Sequence, residues 1–243
     1  MKKRLLLLCI VGVVLILGAC NKELSKEEVI AELKDREQEV EKYHADIDLG
    51  VEIVNTEQKS TVESSKALLK TDLNEKAMEG YGVVEEETNG NKASSEYYFK
   101  GEEAYLNANN QGWMMVPNPD VLNQDGTFYK NLVKLISEIE EKLEIDREGD
   151  SYIFTFKGKD LDVYRAFEDP YSVSFTGIKP EDVVHDISIK INAETFYIEH
   201  LQNTLTGEQG PMQVKVLIDH QYEKMNEIDE IEIPAEVLEQ ATY

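Results

Sequence analysis

Two cysteines, four histidines and 49 carboxylates are the residues with which this chain could do chemistry. Cys9 sits inside an apolar opening stretch and Cys20 ends it. Beyond residue 20 no thiol remains for a disulfide, a zinc site or a nucleophile. His185, His200 and His220 fall on three consecutive predicted strands, with His44 on an earlier one. A regular register from the Gly207–Gly210 turn sets His200 near Leu217 and turns His220 to the other face. Isolated strand histidines of this kind are ordinarily packed or surface residues, and no metal ligand is assigned. The carboxylates are too numerous for any pair to mark an acid and base, and most must be solvated. Asp120, Asn123, Asp125 and Gly126 lack the spacing of a calcium loop. No nucleophile elbow, zincin helix or phosphate-binding glycine loop is present. Neither a catalytic residue nor a cofactor is assigned, and the chain is read as non-enzymatic.

The remaining chemical signal is apolar. Tyr97, Tyr98, Phe99, Tyr105, Trp113, Met114 and Met115 concentrate aromatic and thioether side chains in one region. Methionine adapts to irregular apolar shapes, so such a cluster suits a pocket wall as well as a core. The candidate pocket lining is Tyr98, Trp113, Met114 and Met115, joined by Ile47, Leu49 and Ile189 from inward-facing strand positions.

The first twenty residues give the address. Lys2, Lys3 and Arg4 precede an unbroken apolar run from Leu5 to Leu17, and small Gly18 and Ala19 lead into Cys20. This charged, apolar, small order is that of an export signal. The run is short of the roughly 20 residues that span a bilayer. Leu17-Gly18-Ala19-Cys20 resembles a bacterial lipobox. The resemblance implies that Cys20 carries a thioether-linked diacylglycerol and becomes the first mature residue. The expected organisation is a signal at 1–19, a lipidated tether at 20–24 and one domain at 25–243. The expected location is the extracytoplasmic face of the cell membrane.

Charge excludes some partners. The chain carries 25 Lys and Arg, and removing Lys2, Lys3 and Arg4 leaves 22 against 49 acidic residues, a net of −27. Such a surface offers nucleic acid no basic stripe and disfavours anionic headgroups. Membrane attachment therefore falls to the acyl chains at Cys20. The sequence names no protein partner.

The elements follow from patterning. Ser25 and Glu28 have capping-box spacing and open a predicted helix to about Lys42. Tyr43 to Ile53 alternates apolar and polar through six inward positions, which predicts a half-buried antiparallel strand. Weaker alternation at 60–73 and 77–87 adds two strands. Gly101 centres a hairpin within Glu96–Leu106, and Gly112–Pro117 is a short strand. Leu132, Leu135, Ile136, Ile139 and Leu143 stripe a helix over 128–143. Ser151–Phe156 is a strand and Leu161–Phe167 a short helix. A meander follows at His185–Ile191, Thr195–Leu205 and Val214–Tyr222, then a brief helical turn at Ala235–Gln240. The expected class is α+β, a strongly curved antiparallel sheet with helices at 25–42 and 128–143 on its concave face.

The lipobox, the helix ending in Lys42-Tyr43, the alternating strand, the aromatic hairpin, the Gly112-Trp113 strand and the closing Ile233-Pro234 together resemble uncharacterised small lipoproteins of Gram-positive spore-formers. More distantly, the layout is similar to the lipid-carrier superfamily of LolA, LppX and LprG. That resemblance implies a half-barrel wrapped around helices and an apolar cavity holding acyl chains. It implies no catalytic residue. Two functions are expected in order: a membrane-anchored binder or carrier of a lipid or other apolar ligand, or an accessory lipoprotein whose interior is filled by its own side chains. An extracellular enzyme ranks last.

Overall fold

The computed structural model describes residues 24–116, 126 and 128–241. The signal at 1–19 and the lipidation site at Cys20 lie outside the described residues. Helix α1 (Lys26–Glu37) is capped as its sequence requires. Ser25 Oγ accepts from the Glu28 N–H at 3.2 Å, and Glu28 Oε2 accepts from the Ser25 N–H at 2.7 Å. The helix stops short of the expected Lys42. Asn226 takes the backbone beyond it: its Oδ1 accepts from the Glu41 N–H and its Nδ2 donates to the Glu39 carbonyl. A tertiary partner thus replaces the next helical turn.

Eleven strands are described: β1 (Lys42–Asn55), β2 (Ser60–Asn74), β3 (Glu79–Thr88), β4 (Asn91–Lys100), β5 (Glu103–Ala108), β6 (Met114–Val116), β7 (Glu144–Glu148), β8 (Ser151–Gly158), β9 (Val184–Asn192), β10 (Ile198–Gln209) and β11 (Met212–Glu223). They form one open antiparallel sheet in the order β6-β5-β4-β3-β2-β1-β11-β10-β9-β8-β7. Each half of the chain is a meander, and the halves join where β1 pairs with β11. The edges are β6 and β7, so their connection must cross the sheet. That crossing carries α2 (Tyr129–Glu138). Helix α3 (Leu161–Tyr171) lies between β8 and β9, and α4 (Ala235–Gln240) follows the last strand.

Helices α1, α2 and α3 bury their apolar stripes against one face of the sheet. Val29, Leu33, Leu132, Ile136, Val163 and Phe167 share a cluster with inward Tyr43, Ala45, Ile47, Phe154, Ile189, Leu201 and Ile218. The architecture is the expected curved α+β half-barrel, with helices on the concave face. Glycines on β3 make room for aromatics: a Cβ at Gly80 would overlap the Phe99 ring and one at Gly82 the Tyr97 ring. Among the described residues, every buried apolar side chain falls between Val29 and Val237.

Several expectations need correction. The helix over 128–143 breaks at Ile139 (φ −106°, ψ 6°) into a 3-10 turn at Glu140–Lys142. Strand β7 was not foreseen, because an edge strand reading Glu-Ile-Asp-Arg-Glu has one apolar residue to betray it. Helix α3 runs on to Tyr171 with Pro170 in its last turn. The β10–β11 turn is Gly210-Pro211, with Gln209 opposite Met212, so His200 faces Gln221 instead of Leu217. Gly207 stays in the strand under Phe175 and Ile178. The register moves by an even number of residues, so His200 and His220 keep opposite faces.

Candidate functional site

Strand alternation divides the aromatic and methionine block. Tyr97 and Phe99 point into the main core, while Tyr98 lies on the convex face. Met114 pairs with inward Leu106, and Met115 with outward Tyr105. Tyr98, Tyr105, Trp113 and Met115 form a second cluster with Val237 and Ile233 of the C-terminal segment, on the face opposite the helices. Ile47 and Ile189 are fully buried on the concave face, and Leu49 packs there half-buried. The seven expected lining residues therefore do not surround one pocket. Tyr98, Trp113 and Met115 are corrected to a satellite core under α4, and Met114 stands 47% exposed.

The space beneath the helices holds large, fully buried side chains. Tyr43, Tyr129, Phe154, Phe167 and Ile136 are all fully buried there. The concave face, however, extends past the helices. Along β1 burial fades from Ile47 through half-buried Leu49 to Val51, which is 41% exposed. Cross-strand partners continue the same face. Ile47 lies opposite Leu69, which lies opposite Val84. Leu49 lies opposite Ala67, and Val51 opposite Val216. Half-buried Leu69, Val84, Leu106 and Val214 pack onto the core edge of this surface. An apolar strip thus runs out of the core onto an uncovered end of the half-barrel. No catalytic motif marked it in the sequence. The signal available was the continued alternation of β1 beyond the reach of the helix stripes.

A buried polar network lies deeper. Tyr43 Oη donates to Glu75 Oε1 at 2.6 Å, and the Tyr129 N–H donates to that same oxygen and to Tyr43 Oη. Tyr129 Oη accepts from the Ile198 N–H at 2.9 Å. His220 Nε2 and Nδ1 lie 3.0 and 3.2 Å from the hydroxyls of Tyr171 and Tyr222. His185 Nδ1 lies 3.2 Å from Asn203 Nδ2, while His185 Nε2 and Asn203 Oδ1 have no hydrogen-bond partner. Burial pushes the His185 and His220 pKa values down to about 4 and about 3. It holds Glu75 above the usual carboxylate value, against the hydrogen bonds from Tyr43 and Tyr129. The Tyr43 and Tyr222 phenols are raised well above their ordinary range, first by burial. The two histidines are neutral and fully buried, while Glu75 is half-buried.

The other two histidines sit on the convex face. His44 pairs with Asp72 at 2.7 Å, and His200 with Asp219 at 3.1 Å. Among the described residues no group of three His, Cys, Asp or Glu side chains is placed to hold a metal ion.

A family model described as a family of unknown function, DUF6612, matches residues 25–242, and the chain belongs to that family. In structure it is similar to a β-barrel-like protein of the domain of unknown function DUF1849 from Brucella abortus. Identity is 8%, coverage 74% of this chain and 97% of that one, and the TM-score 0.24. It is also similar to a DUF1329 family protein from Desulfovibrio piger ATCC 29098. There identity is 7%, coverage 80% of this chain and 90% of that one, and the TM-score 0.24. No curated protein matches the chain in sequence.

Proposed function

We propose that this DUF6612 chain is a membrane-anchored, extracytoplasmic lipoprotein that binds or carries a lipid or other apolar ligand, without enzymatic activity. The anchor is argued from Leu17-Gly18-Ala19-Cys20 after its apolar run. The observation that carries the binding function is the apolar strip leaving the core: Val51 is exposed on the same face as buried Ile47. Covering such a strip with an alkyl chain is favourable by about 0.8 kcal/mol per methylene. The site is therefore the uncovered end of the half-barrel. The lipid-carrier resemblance points to the same ligand class.

The large buried side chains beneath the helices favour a second reading, an accessory lipoprotein with no ligand. Titration of the chain from Asn21 onward with a fluorescent zwitterionic phospholipid separates the two. Saturable binding at or below tens of micromolar, about −6 kcal/mol, supports the carrier. Its absence leaves the accessory protein.

A further inference from the structure

We infer that His185 and Asn203 are the head-group site of the ligand and take an uncharged head that both donates and accepts a hydrogen bond, a hydroxyl; this rests on the apolar-ligand function proposed above. Five polar side chains are buried among the described residues: Thr71, Ser151, His185, Asn203 and His220. Of these, only His185 and Asn203 keep atoms without a hydrogen-bond partner, Nε2 and Oδ1, and both residues are 0% exposed. Such orphans are rare, because an unmade hydrogen bond in the interior forfeits the group's solvation. The layer above them supplies no partner. Tyr164 and Phe167 of α3 present their rings 6.2 and 6.0 Å from the imidazole, and Tyr164 Oη already donates to the Val173 carbonyl at 3.3 Å. Phe175 and Ile178 close over Gly207 at the same end of β10.

What the pair can hold follows from its donors and acceptors. If the Asn203 amide donates to His185 Nδ1, the imidazole proton sits on Nε2 as a free donor and Oδ1 is a free acceptor. With the amide turned over, Nε2 is the free acceptor and Nδ2 the free donor. Either way one donor and one acceptor stay open. Burial lowers the His185 pKa to about 4, so the imidazole is neutral near pH 7. A hydroxyl satisfies both groups. An ammonium or a sulfate would leave one of them unpaired and bury a charge.

The pair also lies in line with the strip. Leu49 lies opposite Ile218, and Ile218 opposite Asn203. Two strand spacings of roughly 4.8 Å, about 10 Å, separate Leu49 from Asn203. Val51, Val216, Leu205 and His185 form the next row. A chain laid along these rows ends at the pair once Phe175 and Ile178, 8% and 9% exposed on a loop between α3 and β9, lift from β10. A charged head stays outside in water, with only its chain on the strip.

The test displaces the fluorescent phospholipid from the same protein with 1-decanol, decyl methyl ether and decyl sulfate, three heads on one chain length. The ether accepts a hydrogen bond but cannot donate one. Decanol should compete about tenfold or more tightly than either of the others. The side-chain nitrogen resonance of His185 Nε2 should move with decanol and stay put with the sulfate. H185L/N203L should bring decanol down to the level of the ether, leave the ether unchanged and keep the urea midpoint at or above wild type, since it removes groups whose hydrogen bonds are unmet. T71V is the control: Thr71 Oγ1 donates to the Tyr81 carbonyl and accepts from Tyr97 Oη, both at 2.8 Å. Its midpoint should fall and its affinities should not change.

Equal competition by decanol and the ether overturns the inference. So does an H185L/N203L variant that keeps the decanol preference, or one that loses stability as T71V does with unchanged affinities, because the pair would then be architecture. A His185 Nε2 resonance that decanol does not move overturns it even if the variant fails to fold, and leaves a trapped water as the occupant. If the fluorescent lipid binds and the heads do not discriminate, only the head-group inference falls. If nothing binds, the apolar-ligand function falls with it.

Discussion

The backbone N–H of Tyr129 lies 2.6 Å from Glu75 Oε1, so the first turn of α2 is capped by a residue from the β2–β3 turn. The helix has no side-chain cap of its own, because Phe128 occupies the N-cap position. A carboxylate there also faces the positive end of the helix dipole. Glu75→Ala should cost about 0.5–2 kcal/mol, the range for losing an N-cap, and Glu75→Gln should cost less. Urea denaturation checks this; an unchanged midpoint for Glu75→Ala would mean that Tyr43 suffices alone.

Stability should fall with acid, and the two buried histidines set the window. Unfolded, each titrates near 6.5. Folded, burial lowers His185 to about 4 and His220 to about 3. Between those values the unfolded chain binds protons that the folded chain refuses. The stabilisation is thus complete above about pH 6.5 and is lost as pH drops toward 4 and then 3. Each histidine contributes a slope of about 1 kcal/mol per pH unit within its window. Glu75 acts in the opposite sense, since its raised value lets the folded chain take up a proton first. Denaturation midpoints from pH 7 to pH 4.5 should decline, and His220→Gln should flatten the decline by about half. A wild-type midpoint independent of pH would contradict this account.

Much of this architecture was readable one residue at a time. The alternation of Tyr43 to Ile53 marked β1 because its polar partners face water, and Leu132 to Ile139 marked α2 by its stripe. What escaped were features set by distant partners. Asn226 ends α1, Glu75 caps α2, and Gly210-Pro211 sets the register of β10 and β11. Asn226 and Glu75 have no local signature, whereas Gly210-Pro211 is a turn dipeptide in its own right. The aromatic block misled for a related reason: consecutive aromatics in a strand point to opposite faces, so nearness in sequence separated Tyr97 from Tyr98.

Trp113 is the chain's only tryptophan and reports on α4. It is 9% exposed, with its ring 5.6 Å from that of Tyr98 and Val237 in the same cluster. Val237→Asp should uncover it, red-shift its emission and cost about 1–3 kcal/mol in stability, the scale for unburying one aliphatic side chain. The main core is separate, so far-ultraviolet circular dichroism should stay near wild type. An unshifted emission maximum would show that α4 does not shield Trp113.

Cys20 governs membrane attachment under the proposed function. Cys20→Ala should move the protein from the membrane fraction to the soluble or secreted fraction. The acidic domain has no compensating affinity for anionic lipid. A variant that sediments with membranes as the wild type does would rule out the acyl anchor.

Val51 separates binding from folding. Its side chain is 41% exposed on the concave face, between half-buried Leu49 and the edge of the strip. Surface substitutions of this kind usually change stability by less than about 0.5 kcal/mol. A carboxylate placed there, however, must be desolvated under any alkyl chain that covers the strip. Val51→Asp should therefore weaken a neutral dodecyl ligand by about tenfold or more while the urea midpoint barely moves. Val62→Asp, at an exposed apolar residue at the register shift on the neighbouring strand, is the matched control and should leave affinity unchanged. Equal losses in the two variants, or none in Val51→Asp, would place the ligand elsewhere.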